Sequence, residues 1–289
     1  PSALPRFRFY PPCNTAPYLS RSGFFCFHIQ KNKKRDIISY VICILTVFLV
    51  SLPILAFVIL SFVKQYPINM SFSLSNIQEA FQLGVGMYLK NSLAIALVAS
   101  LLGICVIYFT AYITARSKRS FTNAALHLIA MVSLAIPGVV LGLCYVIFFE
   151  GSFLYGTIAI LILVNTIHFF ASPYLMAYNS LKKFNENLED ISACMGISKL
   201  RMLFDVYIPC TRATIIEMFS YLFVNCMVTI SAVSFLANFR NMPLALLIPQ
   251  FDSQSLIEAT AFISVIILLV NGILKLAVYA VKRYAQTLR

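Results

Sequence analysis

Six long apolar runs, parted by short polar segments, set the plan of this chain. They extend from about Ile37 to Val63, Met87 to Ala115, Ala124 to Phe149, Leu154 to Tyr178, Thr214 to Leu236 and Leu256 to Val281. Each is long enough for a helix to cross bilayer hydrocarbon, which takes about 20 residues. All are far too long for barrel strands, and only helices or closed barrels satisfy their own backbone in lipid. The pattern therefore predicts an all-α polytopic membrane bundle of six transmembrane helices over residues 37–281. A segment of doubtful origin, residues 1–36, precedes it, and a tail, residues 282–289, follows.

The polar intervals refine that plan. Asn69, Ser71, Ser73, Ser75 and Asn76 mark a loop after the first run. The interval before the last run holds a short apolar stretch, Pro243 to Ile248, too short to span and readable as an interfacial or re-entrant piece. Pro137 and Gly138 interrupt the third run near its middle, as either a packing kink or a hinge. The longest charged interval is 181–210, and it contains EDISACMGISKLRMLFDVYIP. Asn187 is expected to cap a short helix from Leu188, with Asp190 in capping-box position. Leu188, Ile191 and Met195 would share one face, and Gly196 would supply a left-handed stop. Ser198 would cap a second helix with an apolar stripe of Leu200, Leu203, Phe204 and Tyr207, which Pro209 stops or turns into the fifth span.

Composition agrees with a membrane protein. Hydrophobic residues make up 60% and charged residues only 11%, against about 25% charged in soluble domains. The net charge of +12 raises nucleic acid as a partner, but the bases cluster at the ends of apolar runs, where they set topology instead. Lys31, Lys33, Lys34, Arg35, Arg116, Lys118, Arg119, Lys182, Lys183, Lys199, Arg201, Arg212, Lys282, Arg283 and Arg289 fall on one side. Lys64, Lys90 and Arg240 fall on the other. The positive-inside rule then places both termini and the 181–210 interval in the cytoplasm. The cysteines show no CxxC spacing, so neither a disulfide framework nor a metal site is expected. The first 30 residues begin without Met and lack a signal-peptide layout; a linker from a longer fused chain, a truncation or a mis-assigned start would account for them.

Charges are nearly absent inside the runs, which disfavours a proton relay or an ion-coupled carrier. Glu217, near the basic edge of the fifth run, is expected to pair with a base such as Arg212. Asn165 and His168 sit mid-run in the fourth, and Asn225, Thr229 and Ser231 in the fifth. They are candidates to line a translocation path, with ordinary interhelical hydrogen bonding as the competing role.

The 181–210 interval resembles the EAA motif of binding-protein-dependent ABC importer permeases. That motif is Glu-Ala-Ala, three residues, Gly, nine residues, then Ile-x-Leu-Pro. Here Asp190-Ile191-Ser192 is followed after three residues by Gly196 and, after nine more, by Val206-Tyr207-Ile208-Pro209. Spacing, Gly and Pro are kept, as is the position before the penultimate span. Asp replaces Glu, with Glu189 just before it, and the larger Ile191 with Ser192 replaces Ala-Ala.

The resemblance implies a MetI-like permease in a bacterial inner membrane, with two permease units, two ATPase subunits and an external solute-binding protein. The interval would form coupling helices seated in a cleft of the ATPase. Glu189 and Asp190 would be its acidic start, Gly196 its turn, and Lys199 and Arg201 a polar rim. No cofactor is implied for this chain, which has no GxxxxGK[ST] cradle; ATP with magnesium would sit on the partner ATPase. No enzymatic activity is implied either. Thr229-Ile230-Ser231-Ala232-Val233-Ser234-Phe235-Leu236 further resembles the fifth span of permeases in the ferric-iron and 2-aminoethylphosphonate branch. A secondary transporter is the competing class, and an intramembrane enzyme would need a nucleophile–base set or metal pair that the runs do not offer.

Overall fold

The computed structural model describes residues 33–117 and 120–287, with side chains to residue 283. Residues 1–32, including Lys31, and Lys118, Arg119 and Arg289 lie outside the described residues, so their part in the charge asymmetry has no structural counterpart. Internal contacts divide the chain into two units, 1–50 and 51–289. The first is described only as the start of α1 (Lys33–Leu60), a helix with no buried residue. Such an all-round apolar surface suits lipid surroundings.

The second unit continues through β1 (Val63–Gln65) and β2 (Asn69–Phe72), an antiparallel hairpin pairing Val63 with Phe72 and Gln65 with Asn69. After α2 (Ser75–Gln82), Gly84 adopts a φ of +90°, open to glycine at little cost, and turns the chain into α3 (Val85–Arg116). Ser120 caps α4 (Phe121–Met131) by accepting from Asn123 N at 3.2 Å. Then come α5 (Gly138–Phe149), α6 (Ile158–His168) and α7 (Ala171–Leu181). The charged interval forms α8 (Leu188–Cys194), α9 (Lys199–Met202), a π-turn over Leu203–Tyr207, and α10 (Ile208–Cys210). The chain closes with α11 (Arg212–Val228), α12 (Leu247–Ser253) and α13 (Ile257–Thr287).

The expected helical membrane bundle is present, with one two-stranded hairpin added, but several of the expected spans are not single helices. Among the described residues, α1, α3 and α13 are each long and apolar enough to cross a bilayer alone. The third run is α4 and α5, bent by 107° around Val132–Pro137. Proline lacks the N–H that would carry the helix through, and Gly138 restarts it. The fourth run is α6 and α7, bent by 51° at Phe169 and Phe170. The fifth run leaves its helix at Val228, where Thr229 turns extended and its hydroxyl takes up the Asn225 carbonyl at 2.6 Å. Thr229 to Leu236 is therefore turn, not helix.

Such irregular backbone is tolerated at depth only where protein satisfies it. The stretch Pro243 to Ile248 shows how. It is folded into the protein, with Leu244, Ala245, Leu246 and Leu247 buried. Ser92 Oγ accepts from Leu244 N at 2.7 Å, and Asn91 Nδ2 donates to Arg240 O at 3.0 Å. Asn238 and Asn241 donate to Gly156 O from the far loop.

Helix α3 runs through the whole core. Val85, Tyr88 and Ile95 pack with the turns after α11; Ala96 and Ala99 meet Phe223, Cys226 and Met227; Ile107 to Ala115 pack with α7 and the 202–207 segment. Glu217 pairs with Lys282, joining α11 to α13 across the basic end.

Helix α5 lies against the turn after α11 through two glycines. A β-carbon on Gly142 would sit 2.7 Å from Ala232 O, and one on Gly138 would sit 2.5 Å from Ser231 Oγ. Gly142→Ala should therefore lose about 1–3 kcal/mol through overpacking, read as a lower unfolding temperature in detergent. Gly272→Ala, where an added β-carbon meets nothing within 4 Å, is the control and should be neutral or slightly stabilising.

Candidate functional site

Two places answer to the sequence expectations, one at the basic end of the bundle and one at the helix breaks. At the basic end, α8 finishes in a Schellman motif. Gly196 takes a φ of +69°, Ile197 N donates to Ser192 O at 2.8 Å, and Gly196 N donates to Ala193 O at 3.1 Å. Ser198 caps α9 as expected, accepting from Arg201 N at 3.3 Å. Asn187 does not cap α8. Its backbone is right-handed and its N–H donates to Asn185 Oδ1 at 2.9 Å, so an Asx turn at Asn185, two residues earlier, leads into the helix. Of the two roles open to Pro209, the second holds: it leads the chain into the fifth span. The π-turn just before it absorbs the missing N–H, and α10 leads on into α11.

The two apolar stripes are divided between inside and outside. Leu203 and Tyr207 are buried, as is Ser192. Ile191, Met195, Leu200 and Phe204 are 54%, 69%, 60% and 63% exposed, so this short segment leaves four large apolar side chains uncovered. Asp190, Lys199 and Arg201 are exposed among them, and Arg201 pairs with Asp205 at 3.3 Å. The size change at Ile191 thus falls on the outer surface, while the small-residue requirement at 192 is met by serine.

Glu189 points the other way. Its carboxylate receives Arg116 Nε at 2.6 Å, Arg116 Nη2 at 2.5 Å and the Tyr207 hydroxyl at 2.6 Å. Arg116 also donates to the carbonyls of Phe184 and Asn185, and its side chain is only 3% exposed. The guanidinium lies 5.5 Å from the Tyr207 ring centroid. Burial pushes the Glu189 pKa up, but the bonds from Arg116 and Tyr207 outweigh it and hold the carboxyl below its ordinary value. The Tyr207 phenol is held above its ordinary value by burial and by its bond to the Glu189 carboxylate.

Sequence reading placed Glu189 beside Asp190 as one acidic start and counted Arg116 only as a topology charge. The signal for it is periodic: Tyr108, Tyr112 and Arg116 recur at i, i+4 and i+8 on one face of α3. All three bond to the far interval. Tyr108 Oη lies 2.7 Å from Thr211 Oγ1, and Tyr112 Oη donates to Lys199 O at 3.2 Å.

At the helix breaks, Gly138, His168 and Ser231 come together. A β-carbon on Gly138 would lie 3.0 Å from His168 Cε1 as well as against Ser231 Oγ. Three interrupted spans thus meet at one point beside Pro137. The other path candidates turn their amides and hydroxyl to their own helices. Asn165, 1% exposed, donates to Leu161 O at 2.9 Å, Asn225 to Tyr221 O at 2.7 Å, and Thr229 to Asn225 O. Between α4, α5 and α6 lies an apolar cavity of about 390 Å³ lined by Leu126, Ile129, Ile136, Leu141 and Ile167.

The depressed Glu189 pKa fixes a pH dependence. A carboxyl whose folded pKa lies below its unfolded value stabilises fully above the unfolded value and loses that contribution as pH falls through the folded one. Glu189→Gln should cost about 1.5–3 kcal/mol at neutral pH, the range for hydrogen bonds to charged groups. The gap between wild type and variant should close only below pH 4.5, the ordinary value for this group. Thermal unfolding in detergent across pH reads both.

Residues 103–284, more than half of the chain, match the family described as the binding-protein-dependent transport system inner membrane component. Among curated proteins none matches the sequence. Solved structures share the fold at low identity. One is a bacterial alginate ABC transporter in complex with its alginate pentasaccharide-bound periplasmic protein, at TM-score 0.72 and 16% identity over 87% of this chain and 96% of that one. A second structure of a bacterial ABC transporter that imports alginate gives TM-score 0.62 and 15% identity over 87% and 96%. The inward-facing MetNI methionine ABC transporter gives TM-score 0.58 and 16% identity over 71% and 98%. With its apolar helices and this family match, the chain is an integral membrane transport component, not an enzyme, and belongs to the family of binding-protein-dependent transport system inner membrane components.

Proposed function

We propose that this chain is the permease subunit of an ATP-driven ABC importer, working with a second permease unit, two cytoplasmic ATPase subunits and an external solute-binding protein. The observation that carries this reading is the outer surface of the 188–204 segment. Four large apolar side chains, Ile191, Met195, Leu200 and Phe204, project from a Schellman-ended helix pair at the Lys/Arg-rich end. That end faces the cytoplasm by the positive-inside rule, in the six-span arrangement over residues 37–281. The surface has the form of a short amphipathic element that seats in a groove. ATP with magnesium belongs to the ATPase, whose closure moves this segment and alternates the path between its two faces. Gly138, His168 and Ser231 lie where three broken spans meet and serve as the constriction of that path.

For the solute, the likeness of Thr229–Leu236 to the ferric-iron and 2-aminoethylphosphonate branch supports ferric iron first and the phosphonate second. Selection rests with the external binding protein. Titrating that protein with ferric ion and with 2-aminoethylphosphonate tests the assignment; tight binding of a sugar or amino acid instead removes both. Transport that survives ATP depletion while an ion gradient is kept would support a secondary transporter and contradict the importer.

Gly196→Arg tests the docking surface. A side chain there meets open space within this chain, so only left-handed strain of about 1–2 kcal/mol acts internally. The variant should insert in the membrane normally and lose co-purification with its ATPase. Normal co-purification would contradict the docking role.

A further inference from the structure

The 188–211 segment is joined covalently to α7 and α11, yet its polar contacts reach a third helix. Tyr108, Tyr112 and Arg116 form one stripe along the last two turns of α3, a turn apart from one another. Each grips a different part of the segment: Arg116 the start at Glu189, Tyr112 the middle at Lys199, and Tyr108 the end at Thr211. These partners lie 73, 87 and 103 residues away in sequence, so nothing local brings them together. All three side chains are buried or nearly so. Tyr207 is the hub. It donates to Glu189, lies 5.5 Å from the Tyr112 ring and 5.2 Å from the Phe184 ring, and sits under the Arg116 guanidinium.

Apolar contacts between helices permit sliding, because dispersion has little directionality. Directed hydrogen bonds at three heights fix the register between two surfaces. The same helix holds the opposite end of the protein through Asn91 and Ser92, which bond to Arg240 O and Leu244 N. From Ser92 to Arg116 is 24 residues, about 36 Å along a helix at 1.5 Å per residue.

We propose that α3 is the strut of this permease: Tyr108, Tyr112 and Arg116 are positioning residues that make the ATPase-docking segment and α3 move as one body, carrying the motion to the 240–244 turn. This rests on the permease reading above. If the stripe only shaped the docking surface, its loss would reduce ATPase binding. If it transmits motion, its loss leaves the assembled complex hydrolysing ATP without moving solute.

The test uses the complete complex of permease, ATPase and binding protein in liposomes, with ATP hydrolysis and uptake of the binding protein's solute measured together. Tyr112→Phe and Tyr108→Phe remove only hydroxyls, and Arg116→Lys keeps charge but loses the two-pronged bond. Expected are unchanged ATPase co-purification and continued hydrolysis, with solute moved per ATP reduced roughly tenfold in Arg116→Lys, as fits a lost charge-assisted bond, and less in each Tyr→Phe variant. Ser92→Ala, at the far grip, should reproduce the uncoupling. A wild-type ratio of solute to ATP in the three stripe variants, or loss of ATPase co-purification along with transport, overturns the proposal. Failure of the wild-type complex to show ATP-dependent uptake would instead overturn the permease reading itself.

Discussion

The bond between Arg116 and Glu189 is the contact on which the basic end of this protein depends. It sits where a long apolar helix leaves the membrane and where the charged interval folds back, and it joins the two by a two-pronged, nearly buried ion pair. A buried guanidinium left without its carboxylate is costly, so the pair constrains its surroundings strongly whatever its net contribution to stability. Its remaining donors go to the Phe184 and Asn185 carbonyls, which places the start of α8. With Glu189 turned inward, the helix must present Ile191 and Met195 outward.

A second constraint acts at the other end. Apolar surroundings require each interrupted helix to have its freed backbone groups bonded from within. The breaks at Pro137, at Phe169 and at Thr229 are grouped around α5, and the turn after α11 is close-packed against Gly138 and Gly142. Asn91 and Ser92 of α3 bond the 240–244 backbone, and Asn238 and Asn241 accept from the backbone N–H groups of their own turn while donating to Gly156 O. Breaks that stand together can rearrange together, which is what a path opening alternately to each side needs.

Hydrophobic periodicity made the helical membrane architecture legible, because a run of apolar residues has one solution in lipid. The same periodicity hid the breaks. Phe169 and Phe170 are as apolar as their neighbours, and the local cue to the 51° bend is Pro173, whose missing N–H leaves the Phe169 carbonyl without its helical partner, while the helix end at Val228 lies inside a run that reads as one span. Pro137 marks its break in the same way, since proline's missing N–H is visible in sequence. The Gly196 turn, the Ser198 cap and the outer apolar residues followed from local chemistry. The inward turn of Glu189 did not, because its partner lies 73 positions away and only the fold brings Arg116 to it. Asn187 looked as good a cap as Ser198, and a competing Asx turn at Asn185 displaced it.

The central claim is that α3 and the docking segment move as one piece. Spin labels at Phe109 and at Cys194, both exposed, placed in a chain otherwise free of cysteine that still performs ATP-driven transport, measure it directly by pulsed dipolar spectroscopy. The account predicts one distance distribution, unchanged between the nucleotide-free and ATP-bound complex. A distribution that shifts or splits with nucleotide would contradict it.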